Sequence, residues 1–338
     1  MVKEVEGTFE VDGKSLYTKS WLPDTNPEAN LVFIHGFSDH INRYQNVFSC
    51  LSSAGIAVHG YDQRGWGRSC ASSPKERGLT GPTSRVLADM VAFITQYLPS
   101  KHDNIPLFVM GHSMGGGQAL KLACDVDGAY TDLVKQVRGW LVEAPYIALA
   151  PQEQPSGLKV FSARMVGKLL PHKQMVAEIR VESLSRLEEV RKSIREDELM
   201  HNTGTIEGMS GMLDRCAELH SGKARPDGGK VKALWVAHGT EDKATSYVAT
   251  KRWFENCTGD VEDREGRWYE GAYHQLHADT CWEEFAGDVA GWILKRAGVE
   301  GEGEVVKRQG EDEGTKNAGE QAVAEGDVVG TQPAESKL

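Results

Sequence analysis

What this chain lacks narrows it first. Its six cysteines, at positions 50, 70, 124, 216, 257 and 281, form no C-x-x-C pair, so they read as free thiols of a reducing compartment, not a disulfide frame. No apolar run reaches the length that spans a bilayer, and the opening MVKEVEGTFEVDGKSL is charged and carries no signal-type apolar core. The expectation is a soluble, intracellular protein. Positive charge is scarce: Lys and Arg number 38 against 49 Asp and Glu, for a net charge of −11, which argues against nucleic acid as a partner. The 11 histidines show no H-E-x-x-H or comparable ligand spacing, so neither a metal nor a cofactor is expected. No internal repeat is visible. What remains is ordinary globular composition, 40% hydrophobic and 26% charged, in 338 residues. That length suggests two domains, or one large domain with an insertion.

The most informative stretch that is present reads PLFVMGHSMGGGQALKLA, residues 106–123. An uncharged β-prone run breaks into Gly111-His112-Ser113-Met114-Gly115 and then a small-residue helix, the strand–turn–helix of a G-x-S-x-G elbow. Glycines are needed there because a Cβ would strike a neighbouring strand or helix. Ser113 would stand at a helix N-terminus, where backbone N–H groups favour a developing negative charge. A small Gly/Ser turn can also do nothing more than join strand to helix, so the elbow needs support from elsewhere in the chain.

The rest of the chain alternates strand and helix. Residues 7–22 form an alternating hairpin about Asp12-Gly13. A strand follows at 31–37, and 56–69 reads as a strand feeding a glycine-rich loop, with helices after each, the second over 84–98. Beyond the elbow, VRGWLVEAPYI, VKALWVAHGTED and REGRWYEGAYHQ supply three more strands, with a helix starting near Tyr247 between the last two. CWEEFAGDVAGWILKRAG closes as an amphipathic helix. This pattern predicts an α/β fold with a mostly parallel central sheet and helices on both faces, its body at 1–150 and 230–298. Residues 151–229 read as an inserted helical cap without strands. A stripe of Leu158, Phe161, Met165 and Leu169, flanked by Val160, Val166 and Leu170, could line an entry for acyl chains or simply pack on the body. The run VESLSRLEEVRKSIREDELMH reads as a solvated helix whose charges form a wet face. From 299 the chain turns glycine-rich and acidic, with ten acidic against four basic side chains and no aromatic residue, the composition of a disordered tail. It ends in Ser336-Lys337-Leu338, a peroxisomal import signal, so an import receptor is an expected partner and the peroxisome an expected location.

A serine hydroxyl needs a general base, and that base an orienting group. In this fold the order along the chain is serine, acid, histidine, each after a strand. Asp242 and His274 stand at such places, with Glu241 and His277 as their competitors; His238 and His112 read as packed, hydrogen-bonded structural histidines. The oxyanion would be met by the backbone N–H of Met114 and of Phe37, the latter after the His35-Gly36 turn.

Together LVFIHGFSDHINRY, YDQRGWGRS, GHSMGGG, AHGTEDKATS and YEGAYHQLH resemble the monoacylglycerol lipase branch of the serine α/β-hydrolases, a branch shared with lysophospholipase-like and serine aminopeptidase-like enzymes. The likeness covers roughly residues 7–297. It implies an α/β-hydrolase fold with nucleophile Ser113, acid Asp242, base His274, oxyanion donors Phe37 and Met114, and a helical cap. It also implies acylglycerols or similar single-chain esters as the small-molecule substrate; transient contact of the cap with a lipid surface is a separate expectation. Two positions depart from the pattern: Asp39 stands for a glutamate, and Lys243 for a hydrophobic residue after the acid. A peroxisomal acyl-CoA thioesterase, a lysophospholipase and a non-catalytic binding protein are the competing readings. For the first of these, Lys159, Arg164 and Lys168 of the cap are the candidate coenzyme A contacts.

Overall fold

The structure, a computed structural model, describes residues 2–101, 103–125, 128–154, 166–167 and 169–299. The described residues fall in one compact unit. The chain opens with the hairpin β1 (Lys3–Val11) and β2 (Lys14–Leu22), turned at Asp12-Gly13, where both residues have positive φ, at 46° and 69°. Next come β3 (Ala29–Ile34), α1 (Gln45–Ser53), β4 (Ile56–Tyr61), α2 (Thr83–Thr95), β5 (Leu107–His112), α3 (Met114–Ala123), α4 (Thr131–Gln136) and β6 (Gly139–Glu143). The segment that follows holds β7 (Gln174–Val176), α5 (Glu188–Arg195), β8 (Thr203–Thr205) and α6 (Ile206–His220). Then β9 (Ala233–Gly239), α7 (Tyr247–Cys257), β10 (Asp263–Tyr269) and α8 (Trp282–Ala297) complete the described chain.

Eight strands make one sheet in the order β1-β2-β4-β3-β5-β6-β9-β10. The hairpin joins antiparallel at one edge, and every pairing from β4 to β10 is parallel. β3, β4, β5, β6 and β9 are apolar almost throughout because both faces of the sheet are covered. One face carries α1 and α8, which bury Val47, Phe48 and Leu51 against Phe285, Val289, Trp292 and Ile293. The other carries α2, α3 and α7, with Met90, Phe93, Leu120 and Trp253 at its centre. Each such side chain contributes about 1.5–3 kcal/mol on burial. Because the central strands are parallel, their carboxyl ends share one rim, where open α/β sheets place their sites.

The segment between β6 and β9 departs from expectation in two ways. It contains a short antiparallel ribbon, β7 with β8, where only helices were expected. Nor is the charged run from 181 to 201 wholly a wet face. Arg195 does reach Glu182 and Glu188 in exposed pairs, but Ile194 is buried, and Asp197 Oδ2 lies 2.9 Å from His40 Nε2 and 3.2 Å from Arg43 Nη1. Of the expected acyl-lining stripe, Leu158, Val160, Phe161 and Met165 lie outside the described residues, as do Lys159, Arg164 and Lys168. Val166, Leu169 and Leu170 are exposed and stand apart from the cavity described below. The acidic tail and its Ser336-Lys337-Leu338 ending also lie outside the described residues. Among the described residues, no helix is long and apolar enough to cross a membrane.

Candidate active site

The elbow is built by exclusion of side chains. A Cβ on Gly111 would stand 2.4 Å from the carbonyl oxygen of Gly115, and one on Gly115 would stand 2.1 Å from that of Ile34. With both glycines, β5 turns into α3 within one residue, and Ser113 takes the strained φ of 53° and ψ of −117°. Three backbone bonds hold it there: its N–H donates to Glu143 O at 2.9 Å, and its carbonyl accepts from Gly117 N at 2.9 Å and Tyr146 N at 2.8 Å.

Asp242 and His274 both meet this serine. The Ser113 hydroxyl lies 2.9 Å from His274 Nε2, and His274 Nδ1 lies 2.8 Å from Asp242 Oδ2. A proton on Nδ1 makes the ring a donor to the carboxylate and an acceptor from the serine, the arrangement of a nucleophile–base–orienter relay. The competing residues are placed elsewhere. Glu241 is exposed, and His277 bonds through Nδ1 to Glu143 at 2.8 Å. His112 is fully buried with Nδ1 3.2 Å from Glu143 Oε2, as a structural histidine would be.

Asp242 is held by more donors than its sequence suggests. Oδ1 accepts from the backbone N–H groups of Ala244 at 2.7 Å and Thr245 at 3.0 Å; Oδ2 also lies 2.8 Å from Thr245 Oγ1 and 2.9 Å from His238 Nε2. Burial alone would raise its pKa, yet the His274 charge and the hydrogen bonds from His238 and His274 hold it well below the usual carboxylate range. For His274, burial works downward. The charge and hydrogen bond of Asp242, with the charges of Glu143 and Asp39 farther off, outweigh it and raise the imidazole above its ordinary value.

Ser113 and His274 open onto a cavity of about 400 Å³. Phe37 and Met114, the expected oxyanion donors, line it beside the serine. The opposite wall comes from the segment between β6 and β9: Met175, Met200, Met209 and Met212, with Ile179, Leu184, Ile206 and Leu213. These methionines carry no shared motif; they come together only in space. The charged rim consists of Glu153, Glu178 and Arg180, with Arg180 Nε 3.1 Å from Glu153 Oε1. Three groups capable of binding metal, His112, Glu143 and His277, also converge, although their spacing in sequence gives no sign of it. Here the carboxylate is hydrogen-bonded to His277 Nδ1 and lies 3.2 Å from His112 Nδ1.

The family model described as Serine aminopeptidase, S33 (Hydrolase_4) matches residues 25–281. The chain belongs to that family. Within reach of it, the protein named "Putative monoglyceride lipase" of Schizosaccharomyces pombe is 32% identical over 83% of this chain and 72% of its own length. The "Monoacylglycerol lipase" of Mycolicibacterium smegmatis is 26% identical over 84% of this chain and 94% of its own length. Among solved structures, a soluble variant of the monoglyceride lipase of Saccharomyces cerevisiae, in complex with a substrate analog, superposes with a TM-score of 0.77. It is 22% identical and covers 86% of this chain and 94% of that one, a likeness of fold. The S33 match spans all three relay residues, and the α/β-hydrolase fold expected from sequence is the fold observed.

Proposed function

We propose that this S33 member is a carboxylic ester hydrolase that cleaves single-chain acyl esters, monoacylglycerols first among them, through an acyl-enzyme on Ser113. The observation that carries this reading is the Ser113–His274–Asp242 relay at the floor of a cavity whose far wall is methionine and aliphatic side chains. His274 takes the hydroxyl proton as Ser113 attacks the ester carbonyl, then gives it to the departing alcohol. Water attacks the acyl-enzyme next with the same base, so the cycle closes without a cofactor. Phe37 and Met114 offer backbone N–H groups to the oxyanion, each worth ~10²–10³ in rate by analogy with other acyl-transfer sites. The relatives named for monoacylglycerol hydrolysis support the choice of substrate.

Residues 151–229 serve as the cap that selects the acyl chain. The exposed Val166, Leu169, Leu170 and Val176 give it an apolar outer face suited to transient contact with a lipid surface. Where Leu338 carries the free carboxylate, Ser336-Lys337-Leu338 would direct the enzyme to peroxisomes through an import receptor. The deciding experiment is a hydrolysis panel of monoacylglycerols, lysophospholipids, acyl-CoAs and short esters, run with Ser113→Ala. Monoacylglycerol should be the best substrate of the wild type and inert with the variant. A preference for acyl-CoA or lysophospholipid replaces the substrate reading, and a Ser113→Ala protein as active as the wild type removes the mechanism. Deleting residues 336–338 should leave the protein cytosolic; an unchanged peroxisomal location rules out the address.

A further inference from the structure

Behind the relay lies a second carboxylate that acyl transfer does not use. Glu143 ends β6 and is wholly buried, a charge set in the apolar run GWLVEAPYI. Burying a carboxylate is costly unless it is paired, and an apolar side chain would fill a strand interior without that cost. Its oxygens are engaged in full. Oε1 accepts from the backbone N–H of His277 at 3.1 Å and lies 2.8 Å from His277 Nδ1. Oε2 lies 3.0 Å from the same Nδ1 and 3.2 Å from His112 Nδ1. Glu143 also accepts the Ser113 N–H on its own backbone carbonyl at 2.9 Å. One residue therefore touches the nucleophile, the residue before it, and the loop three residues past the base. The His112 ring, between the two systems, is 4.8 Å from the rings of both His274 and His277.

We propose that Glu143 is a positioning residue for the relay. Through His277 it fastens the loop that carries His274, and from behind His112 it gives the His274 imidazolium a second buried negative charge, alongside that of Asp242. The inference rests on the Ser113 relay reading above.

The charged and titratable groups around His274 all bear on this. Asp242 faces it after β9, with His238 behind that carboxylate; Asp39 comes from the loop after β3, paired with Tyr44 at 2.6 Å; His112 comes from the end of β5. Tyr44 also packs on His277, with ring centroids 4.3 Å apart. Cys281, at the start of α8, has its thiol pushed up to about 12 by burial and then by Asp279 and Glu143, so it brings no charge near neutrality. Burial would raise the Glu143 pKa, but His277 and His112 hold it far below the usual range, so the carboxylate stays ionised. Its charge favours protonation of His274, and losing that charge lowers the pH at which the base is freed.

The test is Glu143→Gln, which keeps the shape and an acceptor for His277 while removing the charge. The pH dependence of kcat/KM for a p-nitrophenyl ester and the first-order rate of fluorophosphonate labelling are both measured per active site. Labelling rate is independent of how much protein has folded. The expected result is an acid limb moved to lower pH by about half a unit or more, with a plateau ~10–100-fold lower. A purely structural Glu143 would reduce the number of labelled sites and leave the acid limb in place, which overturns the proposal. If Glu143→Gln yields no labelled site, His277→Gln decides. It removes the side-chain tie, leaves the backbone N–H of His277 on Glu143 and keeps the charge, so per-site kcat should fall about tenfold with KM and the acid limb unmoved; an unchanged kcat overturns the side-chain tie. Labelling that persists in Ser113→Ala would instead defeat the relay reading itself, so the two failures are distinct.

Discussion

The two walls of the cavity are built by different means. The lower wall, from the strand ends of the body, is rigid: Ser113 is pinned by three backbone bonds, Asp242 accepts five donors, and glycines at 111 and 115 admit no Cβ. The upper wall, from the segment between β6 and β9, is methionine-rich, and polar contacts tie that segment to the body at many points along its length. Asn202 N donates to Ser38 Oγ at 2.8 Å, Gln174 Nε2 to Arg77 O at 2.8 Å, and Asp197 meets His40. Rate depends on sub-ångström placement, whereas a thioether wall adapts to the chain it covers. The chemistry should therefore be sensitive below and the substrate choice sensitive above.

The strongest way to break this contrast is Asp242→Asn. The amide would leave His274 with the wrong tautomer and no counter-charge, so kcat should fall ~10⁴-fold. Single-turnover ester hydrolysis checks it; a loss under tenfold would mean the lower wall is not where the rate is made. Gly115→Ala should come next. Its Cβ would stand 2.1 Å from the backbone oxygen of Ile34, so β3 and α3 must part, at a cost of about 1–3 kcal/mol and ~10²-fold in kcat. Calorimetry and burst titration read both numbers. In the cap, Met212→Trp should act on selectivity instead, lowering kcat/KM for long-chain esters about tenfold and sparing short ones. An equal loss for acetate and long-chain esters would place Met212 in the chemistry and erase the distinction between the walls.

How much of this was legible in the sequence follows from range. The strands of the body are apolar runs closed by glycine, and the elbow and the order serine, acid, histidine are local signals repeated at strand ends, so fold and relay could both be read. β7 and β8 could not, because each is three residues long and they pair across the whole intervening helix, too short for any period to register. The wall of Met175, Met200, Met209 and Met212 is likewise a product of folding. Glu143 did leave one sign, a lone acid inside an apolar strand, a local violation of the kind that marks functional positions. Its partners, His112 and His277, lie too far along the chain to be paired with it by spacing.

The smallest effect is expected where cap meets body. Asp197 is held by His40 and Arg43, and the backbone N–H of Leu199 also donates to its Oδ1 at 3.0 Å. Burial would raise its pKa, but the hydrogen bond and charge of His40, then Leu199 and Arg43, bring it down to about 2. Because the folded value lies below the ordinary one of ~3.9, the stabilisation is complete above that value and is lost as pH falls through it toward about 2. Asp197→Asn should thus lower the midpoint of thermal unfolding near neutrality by a few degrees at most, equivalent to about 0.5–1 kcal/mol. Between about pH 4 and 2 the difference from wild type should shrink, since there the unfolded wild-type chain takes up a proton that the folded carboxyl refuses until about 2. A difference that stays constant over that range would assign the clasp to shape and not to charge. A kcat for short esters that falls with Asp197→Asn would show that the cap's anchorage reaches the lower wall after all.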